Sequence, residues 1–302
     1  MVLLPDVAWR ARTTTLTTAD HTLIMGILNV TPDSFSDGGR YSAESGTDHA
    51  AAITAGLAMH AAGADIVDVG GESTRPGAAS VDAATEQERV VPVVAELAAA
   101  GVVVSIDTSK PAVAEAAVAA GAEIVNDVTA VGVPSMAATC ASLGAGAVVM
   151  HMQGEPRTMQ QAPSYDDVVG EVRGFLMDRA ERAIAAGVDP ARICIDPGIG
   201  FGKGVGHNLE LLANLETLVA TGLPVLVGAS RKSSIGQVLA ASGLSTEAAE
   251  RDPATGATTA LAIAAGVSVV RVHDVPSSVQ VARMADAIVR ARRHDRSDDG
   301  TE

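Results

Sequence analysis

Aromatic side chains are nearly missing from this chain, which has one Trp, two Tyr and three Phe among 302 residues. An aromatic in a loop therefore needs a reason for being there. Positive charge is also scarce, with 21 Lys and Arg against 36 Asp and Glu and a formal net charge of −15. That deficit excludes a general binder of nucleic acid or anionic membrane, since either needs clustered cations. Cysteine occurs only at Cys140 and Cys194, each in an apolar stretch, with no CxxC pair and no histidine at ligand spacing. Both read as buried, reduced thiols. No apolar run approaches the roughly 18 residues of a membrane helix, and the amino terminus lacks a basic region followed by an apolar one. A cytoplasmic protein without membrane contact is the expectation.

What is present is a globular mix of 47% hydrophobic and 19% charged residues. Its organising pattern is a short β-branched run ending in polar residues, followed by an Ala- and Leu-rich helical stretch. Eight such runs lie at 23–30, 65–70, 102–108, 123–128, 147–152, 193–197, 224–230 and 267–274. Both of their faces are apolar, which is the mark of buried parallel strands. Helical segments fall at 47–62, 86–100, 111–120, 165–186, 208–221, 255–265 and 276–293, and glycines such as Gly63 and Gly266 stand where a helix stops. Eight strand–helix units predict an α/β protein, a single (β/α)8 TIM barrel over residues 22–293. Residues 1–21 are expected to form an extension with a short N-terminal β-hairpin closing the bottom of the barrel. Residues 294–302 have the composition of a frayed, disordered tail.

In such a barrel, functional groups stand at the carboxyl ends of the strands. Here those ends give Asn29, then Asp107, Asn126 with Asp127, His151, Asp196, Ser230-Arg231-Lys232-Ser233, and Arg271 with His273. A single Asp closing a strand is most often a cap or turn residue. Convergence of Asp107, Asn126 and Asp196 on one mouth argues for more, because these groups suit a flat heterocycle rich in N–H donors, such as an aminopyrimidinone. Arg75, Lys232, Arg271 and His273 add cations from different loops, which points to an anionic substrate. His151 reads as a packed core histidine.

The run Gly198-Ile199-Gly200-Phe201-Gly202-Lys203-Gly204 is not a P-loop, because Pro197 occupies the required first glycine position and Gly204 follows the lysine. It reads as a flexible loop. Phe201 within it and Phe35 in the first loop fit stacking on a planar substrate.

Taken together, the motifs resemble the dihydropteroate synthase family, over about residues 24–275. They are Gly26-Ile27-Leu28-Asn29-Val30-Thr31-Pro32-Asp33-Ser34-Phe35-Ser36-Asp37-Gly38-Gly39, then residues 68–77, Ser105-Ile106-Asp107-Thr108, Val125-Asn126-Asp127 and Met150-His151-Met152. Residues 195–203, Ser230-Arg231-Lys232-Ser233 and Arg271-Val272-His273-Asp274 complete the series. The resemblance implies condensation of a dihydropterin diphosphate with 4-aminobenzoate, with Mg²⁺ as cofactor, sulfonamides as competitive inhibitors and a homodimer as the assembly. By position it implies a pterin cradle of Asp107, Asn126, Met150, Asp196, Phe201 and Lys232. Asn29 would be linked to Mg²⁺ and, with Arg75, Arg271 and His273, to the diphosphate. Asp33, Phe35, Thr74, Arg75, Pro76 and Ser233 would be the aminobenzoate and loop contacts. Asp37, Lys232, Arg271 and His273 would be the catalytic set, with Asp37 helping to stabilise developing positive charge.

Two departures stand out. Thr129-Ala130-Val131-Gly132 replaces a Ser-Gly-Gly turn, and Ser234 stands where a bulkier apolar residue is common. The rival readings are a pterin-dependent methyltransferase domain, a Schiff-base aldolase using Lys232, and a pterin-binding protein without turnover.

Overall fold

The computed structural model describes residues 6–31, 48–73, 80–132, 134–155 and 158–297. An antiparallel hairpin of β1 (Ala8–Arg10) and β2 (Thr15–Thr17) comes first, with Trp9 opposite Leu16. The barrel strands are β3 (Leu23–Asn29), β4 (Ile66–Gly70), β5 (Val104–Asp107), β6 (Ile124–Asp127), β7 (Gly146–Met150), β8 (Ile193–Asp196), β9 (Leu226–Val227) and β10 (Val269–Val272). They pair in parallel in the order β8-β7-β6-β5-β4-β3-β10-β9, and a bridge from Ile195 to Val225 joins the two ends of the sheet. The eight-stranded barrel expected from the spacing of the apolar runs is the fold observed.

Around it run α1 (His49–Ala61), α2 (Ala83–Ala99), α3 (Pro111–Ala119), α4 (Pro134–Leu143), α5 (Val168–Ala185), α6 (Val205–Ala213), α7 (Glu216–Val219), α8 (Ser233–Ala241), α9 (Asp252–Ala265) and α10 (Val275–Ser297). Asp48, Asp82 and Asp167 cap α1, α2 and α5, each accepting a first-turn backbone N–H. Gly266 ends α9 at φ +98°, a left-handed backbone that L side chains resist. The single helix expected at 208–221 is two, α6 and α7, because Asn214 leaves helical geometry and turns its side-chain amide back to the Glu210 carbonyl. The last helix continues through Ser297, past the expected boundary at 293. Among the described residues no helix is long and apolar enough to cross a membrane.

Among the described residues a small apolar cluster of Val128, Met150, Met159 and Phe201 lies at the carboxyl ends of the strands, and two large apolar compartments hold the fold together. The larger lies between strands and helices and includes Ile24, Leu28, Val67, Val69, Ile106, Val149 and Ile195 with the inner faces of the helices. The smaller fills the barrel itself and is closed by the hairpin, with Trp9 and Leu16 packed on Leu23, Met25, Ile66, Ile124, Val148, Cys194, Leu226 and Val269. Trp9 is 1% exposed and its indole N–H donates to the Arg192 carbonyl at 2.9 Å, so its one polar atom is satisfied. Burial of side chains this size is worth about 1.5–3 kcal/mol each. The hairpin thus caps the amino ends of the strands.

Candidate active site

Side chains on each strand alternate between the helical jacket and the barrel interior, so depth follows from counting in twos. Ile66, Ile124, Val148, Cys194 and Val269 belong to the interior cluster above the hairpin. Two residues further on, the same faces carry Asp68, Asn126, Met150, Asp196 and Arg271. Within one inward step of about 7 Å the interior changes from apolar to ionic.

Arg271 is the hub of the ionic layer. Its Nε donates to Asp68 Oδ2 at 2.6 Å and its Nη2 to Asp107 Oδ2 at 2.7 Å. Asn126 Nδ2 donates to the same Asp68 oxygen at 3.0 Å. The parallel register makes these contacts reachable, because Asp107 stands opposite both Gly70 and Asn126. Asp196 projects from the end of β8, where Oδ1 accepts the Gly198 N–H at 2.7 Å. Lys232 sits at the start of α8 with its ammonium 4.1 Å from the Phe201 ring centroid, within cation–π range. One cavity is lined by Asp107, Asn126, Val128, Met150, Asp196, Gly198, Ile199, Phe201, Gly228, Lys232 and Arg271. Its apolar members suit a flat ring, and its carboxylates and amide suit the ring's N–H edge.

Burial dominates the electrostatics. It raises the Asp107 carboxyl to about 7, the pull of Arg271 being outweighed with the help of Asp68 and Asp127. Burial raises Asp196 to about 6, against the Gly198 N–H and the nearby cations. It lowers Lys232 to about 8, with Arg271 adding repulsion. His273 falls to about 4 through burial and the charges of Arg231, Arg271 and Lys232, and so is neutral at pH 7. Its Nδ1 lies 3.0 Å from Ser230 Oγ, which also accepts the His273 backbone N–H at 3.2 Å. A site with carboxyls raised and amines lowered toward neutrality has the character of a reaction centre.

Of the residues singled out from the sequence, Asp107, Asn126, Met150, Asp196, Phe201, Lys232 and Arg271 meet around this cavity. Asn29 ends β3 near Gly70: a Cβ built on that glycine would stand 3.9 Å from Asn29 Oδ1 and 3.9 Å from Asp107 Oδ2. Ser233 is exposed in the first turn of α8. Asp33, Phe35, Asp37, Thr74, Arg75 and Pro76 lie outside the described residues. Arg271 does not stand apart from the acids as a free cation, since two carboxylates already hold its guanidinium. His151 is a buried packing residue, edge-on to Phe175 at 4.8 Å. In the departing turn, Ala130 and Val131 hold φ of +62° and +53°. Asp127 steadies this turn by accepting the Thr129 and Val131 N–H groups at 2.8 and 3.0 Å.

Sequence reasoning assigned no role to Asp68 or Lys203. Asp68 sits mid-strand between Val67 and Val69, and only its phase relative to Ile66 marks it as inward-facing. Lys203 lies in a run that reads as flexible, yet it is 3% exposed.

The comparisons with known proteins agree with this geometry. The sequence pattern of the family described as "Pterin binding enzyme" matches residues 25–273. The dihydropteroate synthase of Mycobacterium leprae is 49% identical over 271 residues, covering 89% of this chain and 94% of that protein. The structure of Xanthomonas albilineans dihydropteroate synthase with 4-aminobenzoic acid superposes with a TM-score of 0.85 at 43% identity, over 94% of this chain and 98% of that one. The Yersinia pestis dihydropteroate synthase in a sulfonamide drug complex gives 0.84 at 42% identity, over 95% of this chain and all of the other. With 89% or more of the chain matched at 42–49% identity and an ionic mouth on the barrel, the chain belongs to the dihydropteroate synthase family of pterin-binding enzymes.

Proposed function

We propose that the protein condenses (7,8-dihydropterin-6-yl)methyl diphosphate with 4-aminobenzoate to give 7,8-dihydropteroate and diphosphate. The observation that carries this reading is the meeting of Asp107, Asn126 and Asp196 with Met150, Ile199, Phe201 and Lys232 around one cavity. The buried carboxylates accept the amide and amine N–H groups of the pterin edge, at about 1.5–3 kcal/mol for each charged hydrogen bond. Met150, Ile199 and Phe201 flank the ring.

In the reaction the bond from the pterin methylene carbon to the diphosphate oxygen breaks and a bond from that carbon to the amine nitrogen forms. The amine loses a proton, and diphosphate carries away the electron pair. Arg271, through the Nη1 that Asp68 and Asp107 leave uncommitted, and the neutral His273 at the mouth donate hydrogen bonds to the departing group, and Ser233 beside Lys232 takes the aminobenzoate side. Asp37 and the other first-loop residues are assigned to stabilising the developing cation and excluding water from it. Asn29 supplies a hard amide oxygen, the donor type that Mg²⁺ takes, and substrate phosphate oxygens and water would complete its shell. When bound there, Mg²⁺ would neutralise charge on the diphosphate.

The test is product formation by purified protein with Mg²⁺ and dihydropterin diphosphate, with and without 4-aminobenzoate, read by mass. Dihydropteroate that depends on 4-aminobenzoate is expected, as is sulfonamide inhibition competitive with it. Tight pterin binding with neither product nor diphosphate release would overturn the synthase in favour of a methyltransferase domain or a non-catalytic binder.

The same reading assigns the protein to the cytoplasm as a homodimer. In support, Met284 and Ile288 stand exposed on α10 and line a groove with Ala260, Ala264, Val281 and Val289. Sedimentation of wild type and Met284→Asp should give dimer and monomer respectively; a monomeric wild type would contradict the assembly.

A further inference from the structure

We propose that Lys203 is a positioning residue for the pterin cradle: its buried ammonium pins the glycine-rich turn after β8 so that Asp196 and Phe201 face the cavity. The inference rests on the proposed pterin chemistry and adds a residue that does not itself line the cavity. Lys203 Nζ donates to the Gly198 carbonyl at 3.0 Å and to the Phe201 carbonyl at 3.0 Å, and lies 2.8 Å from His151 Nδ1. An ammonium has three N–H groups, and these are three acceptors. The His151 carbonyl lies further off, at 3.4 Å. Among the described residues no carboxylate touches the amine, and burial lowers it to about 7, so its charged form is held only because each donor finds a partner.

The turn lies hard against the segment after β7. A Cβ at Gly198 would fall 1.9 Å from the His151 carbonyl oxygen, and one at Gly202 would fall 2.3 Å from that of Gln153. Nothing larger than hydrogen fits at either place, so the backbone itself forms the contact that Lys203 ties. Tyr165 Oη and Gln160 Nε2 hold the Gly202 and Gly200 carbonyls at 2.7 and 2.6 Å. The turn so fixed delivers two things to the cavity: the Gly198 N–H that orients Asp196, and the Phe201 ring beneath Lys232. His151 is suited to its part, because burial and the neighbouring Lys203 hold it neutral and leave Nδ1 able to accept. A glycine-rich stretch that reads as flexible is thus a rigid wall, stiffened by one lysine.

Lys203→Met keeps the side chain's length and removes every donor, whereas Lys203→Gln keeps two donors without the charge. The probe is 6-hydroxymethylpterin, titrated by calorimetry at a temperature where each variant is shown to be folded. Lys203→Met should weaken pterin binding by roughly tenfold or more and raise KM for the pterin diphosphate in parallel, the loss of a charged hydrogen-bond donor setting the scale. KM for 4-aminobenzoate should stay within about twofold, and Lys203→Gln should fall between wild type and Met. A merely structural lysine would lower the melting temperature and leave pterin affinity unchanged in the folded protein, which would overturn the proposal. Should Lys203→Met not fold, His151→Leu removes one of the three acceptors, and unchanged pterin affinity there overturns it equally. A wild type that binds no pterin would overturn the functional reading itself.

Discussion

The two ends of the barrel are built from the same strands and obey opposite rules. At the amino end, Trp9 and Leu16 of the hairpin seal an interior of Leu23, Met25, Ile66, Ile124, Val148, Cys194, Leu226 and Val269. At the carboxyl end, Asp68, Asp107 and Asp196 share the space with Arg271, and with Lys232 from the loop after β9. The first end lowers the free energy of the fold by burying apolar surface. The second buries ionisable groups whose protonation equilibria move toward neutrality, so stability is given up there for an organised polar surface. Scaffold and site are therefore separable along each strand, and substitutions at the two ends should fail in different ways.

The largest effect is expected at the mouth. Asp196→Asn preserves volume and the acceptor for the Gly198 N–H but replaces a charged acceptor with a neutral amide. Two charged hydrogen bonds at about 1.5–3 kcal/mol each put the loss in kcat/KM at about a hundredfold or more. Its melting temperature should hold or rise. The folded pKa is raised to about 6 from 3.8, so the stability that carboxyl contributes when protonated is already lost at pH 7, and Asn relieves the buried charge. At the other end, Trp9→Ala should cost about 3–5 kcal/mol in denaturant unfolding while leaving the kinetic constants of the folded protein unchanged.

The pH dependence sharpens the contrast. Asp196 and Asp107 become neutral below about 6 and about 7, and so lose their hold on the pterin N–H edge. Lys232 loses its charge above about 8, and with it the interaction with Phe201. Affinity for 6-hydroxymethylpterin should therefore be bell-shaped, falling in acid below the carboxyl values and in alkali above the lysine's. Lys232→Met should remove the part of the alkaline limb that belongs to Lys232 and leave the part that belongs to Lys203, which burial lowers to about 7. The smallest effect belongs to the exposed pair near the hairpin, Arg10 with Asp189 at 2.7 Å. Arg10→Ala should change unfolding free energy by less than about 1 kcal/mol, even though its distance nearly equals the 2.6–2.7 Å contacts of Arg271.

Much of this was legible in the sequence because it is written in short-range patterns. Apolar runs with two buried faces marked the strands, and Gly63 and Gly266 marked helix ends, with φ of +101° and +98°. The polar residues that close the strands or follow them marked the mouth, and five of them, Asp107, Asn126, Asp196, Lys232 and Arg271, line one cavity with Met150 and Phe201. What escaped depends on long-range partners. Asp68 is hidden in an apolar run and matters through Arg271, 203 residues away. Lys203 gains its meaning from His151 and the backbone of its own turn. Arg271 read as a cation free for an anion because sequence does not show that two carboxylates reach it. The strand expected at 224–230 shortens to β9 (Leu226–Val227), since Gly228 onward turns away to place Lys232.

The most direct test of the separation between scaffold and site is to measure pterin affinity and unfolding free energy on the same two variants, Trp9→Ala and Asp196→Asn. The separation requires Trp9→Ala to bind 6-hydroxymethylpterin like wild type wherever it is folded while losing stability, and Asp196→Asn to keep its stability while losing the ligand. Wild-type affinity in Asp196→Asn, or lost affinity in folded Trp9→Ala, would contradict it.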